Sequence, residues 1–390
     1  QMCIRDRLYM VYYIIKYKNK KMILIIDFLI IRNNMDNLKI QEFGEIDFSD
    51  PFFDTLKKDY SHGFINWWLK KVQLQDKAFV LYNDNFSTID GFMYLKLENN
   101  IDDINPPLMD GCYLKVGTFK FNPAGTLRGE RFIKKIFDVA IVNNVMGIYV
   151  TIFDKHDYLI NLFKRYGFHS AGVKKSDNGS ENVLLKKRQF TGNLEKDYPY
   201  INTNNNKYLL AIYPKFHTQL FPDSILITES SSIIHDVSHT NSIHKVYISK
   251  IQTLGNLKKG DIVVIYRTAD EGKKAYFSSV ATSICVIEEV RQMSTFSNKK
   301  EYVEYCTKYS VFTSEELNKL YDENHYKTSF PCYVIKFTYN IALSHRPNRK
   351  ALINEVGLDS EIRWGCLKLT DKQFDKILKL GEVNESFIIN

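Results

Sequence analysis

The stretch from Tyr113 to Phe168 constrains the fold more than any other part of the chain. It reads as strand, glycine-containing turn, amphipathic helix, strand and amphipathic helix. YLKVGTFKF (Tyr113–Phe121) alternates apolar and polar side chains, as a half-buried strand does. Asn122-Pro123-Ala124-Gly125 breaks it, and Gly125 and Gly129 bracket a short loop, GTLRG. From Glu130 the apolar residues Phe132, Ile133, Ile136, Phe137, Ala140 and Ile141 fall on one helical face. A buried strand, Ile148–Phe153, follows Gly147. A last helix carrying Leu159, Ile160, Leu162 and Phe163 is stopped by Gly167.

A glycine-bearing loop that feeds straight into a helix offers free backbone N–H groups and the positive end of the helix dipole to an anion. Gly125 and Gly129 lack a Cβ, so a diphosphate is expected to approach the backbone closely there, with Arg128 as a mobile cation. The competing reading is that the two glycines are turn punctuation.

The order of elements, together with Phe163-Lys164-Arg165-Tyr166-Gly167-Phe168, resembles the GNAT N-acetyltransferase superfamily. That superfamily follows its cofactor loop with a strand–helix pair ending in an aromatic-x-x-x-Gly-Phe signature. The resemblance covers Leu38 to Arg188, the size of a typical single domain. The superfamily loop usually reads Gln/Arg-x-x-Gly-x-Gly/Ala. With its final small residue on Gly129, Ala124 stands where Gln/Arg is usual and Leu127 where the first Gly is usual. The resemblance implies acetyl-CoA as cofactor, held by Phe119, Phe121, Ala124, Gly125, Thr126, Leu127, Arg128, Gly129, Glu130 and Phe163. It also implies a general acid for the departing thiolate, often a Tyr at the position of Phe163. A phenyl ring cannot donate a proton, so Tyr166 and His156 on the same helix are the candidates. Glu98, Asp90 and His62 are candidate bases.

Around this stretch, Leu38–Phe43 reads as a strand, Asp50-Pro51 opens a helical region, and Phe64, Ile65, Trp68, Leu69 and Val72 mark the apolar face of a second helix from which Trp67 is absent. Two strands, KAFVLYN and DGFMYLKLE, precede the central one. A hairpin, Gly172–Asn178 and Glu181–Arg188, closes this half.

With 390 residues, the chain is expected to form two domains. A net charge of +8 favours anionic partners such as nucleic acid or nucleotide cofactors, and a lysine-rich solvated surface accounts for it equally. The six cysteines contain no C-x-x-C pair, which argues against a zinc site or disulfide framework and fits a reducing cytoplasm. Residues 1–34 are expected to be a non-native or disordered extension. Their QMCIRDR start looks like translated adaptor, their apolar runs are too short to span a bilayer, and Met35 is the expected natural start. No metal or membrane contact is expected.

Residues 35–190 are thus one domain, 191–207 a polar linker, and 208–390 a second domain of many short strands. HKVYIS, DIVVIYR, AYFSSV, SICVIEEV and CYVIKFTYN are its strands. Helices begin at Asn298 and at the capping boxes Thr313-x-x-Glu316 and Thr370-x-x-Gln373. The fold class is therefore mixed α/β, an acetyltransferase-like domain followed by a small barrel with peripheral helices. NSIHKVYIS, LKKGDIVVIYRT and RWGCLKLTDKQF resemble the PUA-like barrels of the EVE and ASCH group. That resemblance implies a basic, aromatic-lined cleft for RNA or a modified base, with Tyr266, Arg267, His345, Arg346, Arg349 and Trp364 near it. Two functions follow. One is an acetyl-CoA-dependent N-acetyltransferase directed to RNA or another nucleic-acid-associated substrate. The other is a non-catalytic nucleic-acid-binding or regulatory protein with a degenerate acyl-CoA-sensing domain.

Overall fold

The computed structural model describes residues 37–226, 236–327 and 329–389. The expected extension 1–34 and the start at Met35 lie outside the described residues.

The first half forms a seven-stranded sheet in the order β1-β2-β3-β4-β5-β7-β6. Its strands are β1 (Leu38–Glu42), β2 (Lys77–Tyr82), β3 (Ile89–Glu98), β4 (Tyr113–Phe121), β5 (Gly147–Phe153), β6 (His169–Ser176) and β7 (Gly179–Lys187). Only β4 and β5 run parallel, joined by helix α3 (Arg128–Val142). Strand alternation sends Leu81, Met93, Leu114, Val116 and Val150 to one face, where α3 and α4 (Asp157–Arg165) cover them. Val80, Phe92 and Tyr94 point to the other face, under α1 (Asp54–Asp59) and α2 (Phe64–Gln73). Helix α2 departs from its expected face. Phe64 and Trp68 are buried and Trp67 packs on Phe43, Phe64 and Tyr94, whereas Ile65 and Leu69 are exposed. Aromatic packing against Phe43 sets the rotation of this helix, which a count of aliphatic positions does not capture.

The second half is a six-stranded sheet in the order β10-β13-β12-β11-β9-β14. It comprises β9 (Lys207–Ile212), β10 (His244–Ser249), β11 (Ile262–Arg267), β12 (Val280–Gln292), β13 (Tyr333–Ala342) and β14 (Cys366–Leu369), while the short β8 (Ile201–Asn202) pairs separately with Ile388–Ile389. Register shifts at Ile284/Cys285 and Ile287/Glu289 bend the long β12, so the sheet curls into a small, partly closed barrel. One face buries Leu210, Val263, Ile265, Cys285 and Phe337. The other packs on the C-terminal helix Asp371–Leu380 through Phe374 and Ile377. Both capping boxes form as expected, and Asn298 caps its helix through the Glu301 N–H at 2.9 Å. AYFSSV is not a strand: Ala275–Ser278 forms a helical turn and β12 begins at Val280.

Residues 191–207 are not a solvated linker. Asn193 caps a helical turn at Leu194–Asp197, and Tyr198 is buried with its hydroxyl donating to the Tyr339 carbonyl at 2.9 Å. The reason lies in α3. Every residue of this helix except Asp138 and Val142 is buried, because the second half covers the face that the first half leaves polar. Lys134 and Lys135 meet Asp223 at 3.3 and 2.5 Å, Arg131 meets Asn241 at 3.3 Å, and Glu130 accepts from Ser242 Oγ at 2.7 Å.

Candidate active site

Strands β4 and β5 pair only over Tyr113–Val116 and Gly147–Val150. Beyond Val116 and Val150 they part, leaving a slot between Gly117–Phe121 and Thr151–Phe153. On the α3/α4 side the slot has an apolar wall. Phe119 lies 5.7 Å from Phe121 and 5.2 Å from Phe163, and Phe121 lies 6.1 Å from the exposed Tyr158.

The loop after β4 rises into the left-handed region at Gly125 (φ 72°) and Leu127 (φ 59°), then enters α3 at Arg128. A leucine in that conformation is strained. The N–H groups of Leu127, Arg128 and Gly129 donate to nothing among the described residues, as the start of a helix requires unless a ligand or cap intervenes. An anion already sits beside them. The Asp236 carboxylate accepts from Thr126 Oγ1 at 3.1 Å and Arg128 Nε at 2.7 Å, while Asn241 donates to the Thr126 carbonyl at 2.7 Å. The loop chemistry thus suits an anionic group, and the second half supplies one.

Three expectations about this loop need correction. Arg128 is not mobile: it is buried and paired with Asp90 and Asp236 at 2.8 and 2.5 Å. A Cβ on Gly129 would stand 2.8 Å from both Phe121 and Leu162, so its missing side chain makes room for packing and not for a diphosphate. Of the two loop glycines it is Gly125 that faces open space. Glu130 is buried and spent on Ser242, on the Ile243 N–H at 3.0 Å and on Arg165 at 3.2 Å. Ala124 stands exposed at the rim.

The far side of the slot is polar. Lys120 alternates away from Phe119 and Phe121; its ammonium lies 4.3 Å from the centre of the Phe52 ring, and burial pushes its pKa down. Tyr60 packs on Phe153 at 5.3 Å and donates its hydroxyl to Glu181 at 3.0 Å. Burial and the Glu181 charge hold the Tyr60 phenol protonated far above its usual range. Next to Tyr60, Asp59 binds Lys155 at 2.6 Å and His156 Nε2 at 3.3 Å. Asn178, in the β6–β7 turn, accepts from the His62 N–H at 3.1 Å and donates to its carbonyl at 3.2 Å, which ties the α1–α2 turn over this side.

Of the two candidate acids, the structure brings only His156 to the slot. Tyr166 is fully buried, with its hydroxyl 3.3 Å from His244 Nε2 at the junction of the halves. Three residues beyond Phe163, at the C-cap of α4, it faces the other half and not the parted strands. Glu98 sits at the far end of β3, opposite Tyr113, in ion pairs with Lys96 and Lys115. Asp90 is committed to Arg128.

The residues expected to form an RNA cleft are packed. Tyr266 and Trp364 are core residues with ring centres 5.3 Å apart, and Arg349 stacks on Trp364 at 3.9 Å. Arg267 is 1% exposed and pairs with Asp270 at 2.8 Å, and Arg346 donates to the Ile225 carbonyl at 2.6 Å. His345 alone is exposed. Sequence reasoning missed Tyr60, Glu181 and Asp236. A signal existed for Glu181: it shares strand phase with Val183 and Leu185, which are buried. Among the described residues no helix is long and apolar enough to cross a membrane, and no cluster of metal-ligating side chains occurs.

No protein-family model matches the sequence, and no curated protein matches it. Several solved structures are similar to parts of it. ASCH from Zymomonas mobilis is 8% identical over 45% of this chain and 94% of that one, with a TM-score of 0.30. NAA60 from Arabidopsis thaliana, in complex with a bisubstrate analogue, is 12% identical over 38% and 97%, also at 0.30. A GNAT-family acetyltransferase from Streptococcus agalactiae is 13% identical over 35% and 79%, at 0.25.

Proposed function

We propose that the first half is an acetyl-CoA-dependent N-acetyltransferase. The observation that carries this reading is the slot where β4 and β5 part, apolar on one side and lined with acid–base groups on the other, in front of a loop rich in free N–H donors. Acetyl-CoA supplies an activated acetyl thioester. The N–H groups of Leu127, Arg128 and Gly129, with Thr126, would hold its diphosphate, and Phe119, Phe121 and Phe163 would shield the apolar arm from water. His156, oriented by Asp59, is placed to take or give a proton at the open end of the slot.

Direction to RNA is not part of this reading, because Tyr266, Trp364 and Arg267 would have to leave their packing to meet a base. A second reading, a non-catalytic acyl-CoA sensor, is favoured by one observation: Asp236 already places a carboxylate at the cofactor loop.

Calorimetry with CoA and acetyl-CoA tests the proposal through Gly125, whose positive φ Asn and Asp both tolerate. Gly125→Asp, which adds a like charge in open space, is expected to abolish binding, and the neutral Gly125→Asn to retain it. Equal affinity in all three proteins would reduce the loop to a turn.

A further inference from the structure

We infer that Glu181, held in place by Tyr60, is the seat for the positively charged amine that receives the acetyl group. The inference rests on the acetyl-transfer reading and supplies its acceptor side. The ammonium is the bound form, and it gives one proton to His156 before the nitrogen lone pair attacks the acetyl carbonyl. As the C–S bond breaks, the second nitrogen proton goes to the departing CoA sulfur.

Glu181 opens the buried phase of β7 and is 6% exposed. Its one partner among the described residues is the Tyr60 hydroxyl at 3.0 Å. A nearly buried carboxylate needs a cation or several donors to offset lost hydration, and here the neighbouring cations are committed elsewhere. Lys155 binds Asp59 at 2.6 Å, Lys174 binds Asp103, and Lys120 donates to the Phe52 carbonyl. The carboxylate therefore has capacity for one more charged donor.

Its place is also suitable. Glu181 lies directly across from Phe153, the last residue of β5 beyond the parting, and on the opposite face of the sheet from the Phe119–Phe121–Phe163 wall. An acceptor nitrogen on Glu181 would thus approach the slot from the side that the apolar wall leaves free. The rings of Tyr60 and Phe153 flank the carboxylate, and the Lys155 ammonium, 5.4 Å from the centre of the Phe153 ring, shows that this surface draws a cation and not a neutral hydroxyl. The clasp between His62 and Asn178 holds the Tyr60 turn against the hairpin that carries Glu181, so the seat is pre-formed.

The chemistry names a primary ammonium, which a lysine side chain, a chain N-terminus or a polyamine could present. The full chain is titrated calorimetrically, without acyl donor, with a lysine peptide blocked at its N-terminus, a lysine-free peptide with a free N-terminus, and spermidine. One of the three is expected to bind, and its identity distinguishes the sources. Glu181→Gln should weaken that probe by roughly 10- to 100-fold, as loss of a charge-assisted bond predicts, while CoA affinity and the unfolding temperature stay unchanged. The probe's hydroxyl analogue should not bind. Tyr60→Phe, which frees the carboxylate without removing its charge, should weaken the probe less than Glu181→Gln does; it keeps the test open should the Gln variant fail to fold, since a probe indifferent to Tyr60→Phe then overturns the inference. No binding of any probe to the wild type, or undiminished binding to Glu181→Gln, overturns it as well. Amine binding without CoA binding would instead sink the acetyl-transfer reading and leave the seat standing.

Discussion

His217 shows how a single buried residue sets a pH response. It is fully buried in the barrel half, with Nε2 2.8 Å from Thr282 Oγ1 and no partner for Nδ1 among the described residues. Burial, then the charges of Arg267 and Arg346, push its pKa well below the usual imidazole value. As pH falls below about 6.5 the unfolded chain takes up a proton that the folded chain refuses, so stability must fall with pH there. The slope for one such group is about 1.4 kcal/mol per pH unit. Urea midpoints at pH 7.5 and 5.5 check this, and His217→Gln should lose that part of the acid sensitivity. Equal pH dependence in both proteins would refute the assignment. None of this was legible in the sequence, where His217 is one polar residue in YPKFHTQLF. Gly129 was misread for the same reason: a glycine needed for side-chain packing and one needed for a ligand look alike until Phe121 and Leu162 are seen beside it.

At the scale of elements, local signals read well and the outer face of α3 did not. The apolar stripe of α3, the caps at Asn298, Thr313 and Thr370, and the strand segments of the first half follow from periodicity and spacing within short windows. The charged stripe Arg131, Lys134 and Lys135 carries no signal of its burial, because charge alone does not tell water from a matching carboxylate across an interface. That carboxylate is Asp223, which both lysines hold well below the usual carboxylate range. Asp223→Asn would leave the buried Lys135 ammonium without its counter-ion and Lys134 with Asp138 alone, and a destabilisation of about 3–5 kcal/mol is expected by denaturant titration. A loss under ~1 kcal/mol would show the cluster to be solvated, since exposed pairs contribute no more than that. Asp236 tests the other end of the helix. Its carboxylate competes with any diphosphate for Thr126 and Arg128, so Asp236→Asn should tighten CoA binding by calorimetry. Weaker binding would instead make Asp236 a support of the loop.

At the scale of the whole molecule, unfolding as one cooperative unit is the expected outcome, in place of two domains that melt separately. Its cores interleave: Ile243 from the barrel half packs in the core of the first sheet, and Ile141 from α3 packs in the core of the second. Lys245 is fully buried, donates to the His239 carbonyl at 2.5 Å, and is pushed by burial to a pKa of about 7. Lys186 is likewise pushed to about 7 while donating to the Tyr166, Lys196 and Tyr198 carbonyls, which staples the last strand of the first half to residues 191–207. A cut at Lys207 would expose Ile243 and Asp223 on one side and strand Arg131, Lys134 and Lys135 on the other. Isolated halves are therefore expected to be insoluble or partly unfolded, although the sequence suggested that the barrel would stand alone. The intact chain should unfold in a single calorimetric transition whose van't Hoff and calorimetric enthalpies agree. Two resolved transitions, one surviving in a fragment that begins at Lys207, would show the halves to be independent, and the charged face of α3 would then be an ordinary inter-domain contact that opens and closes.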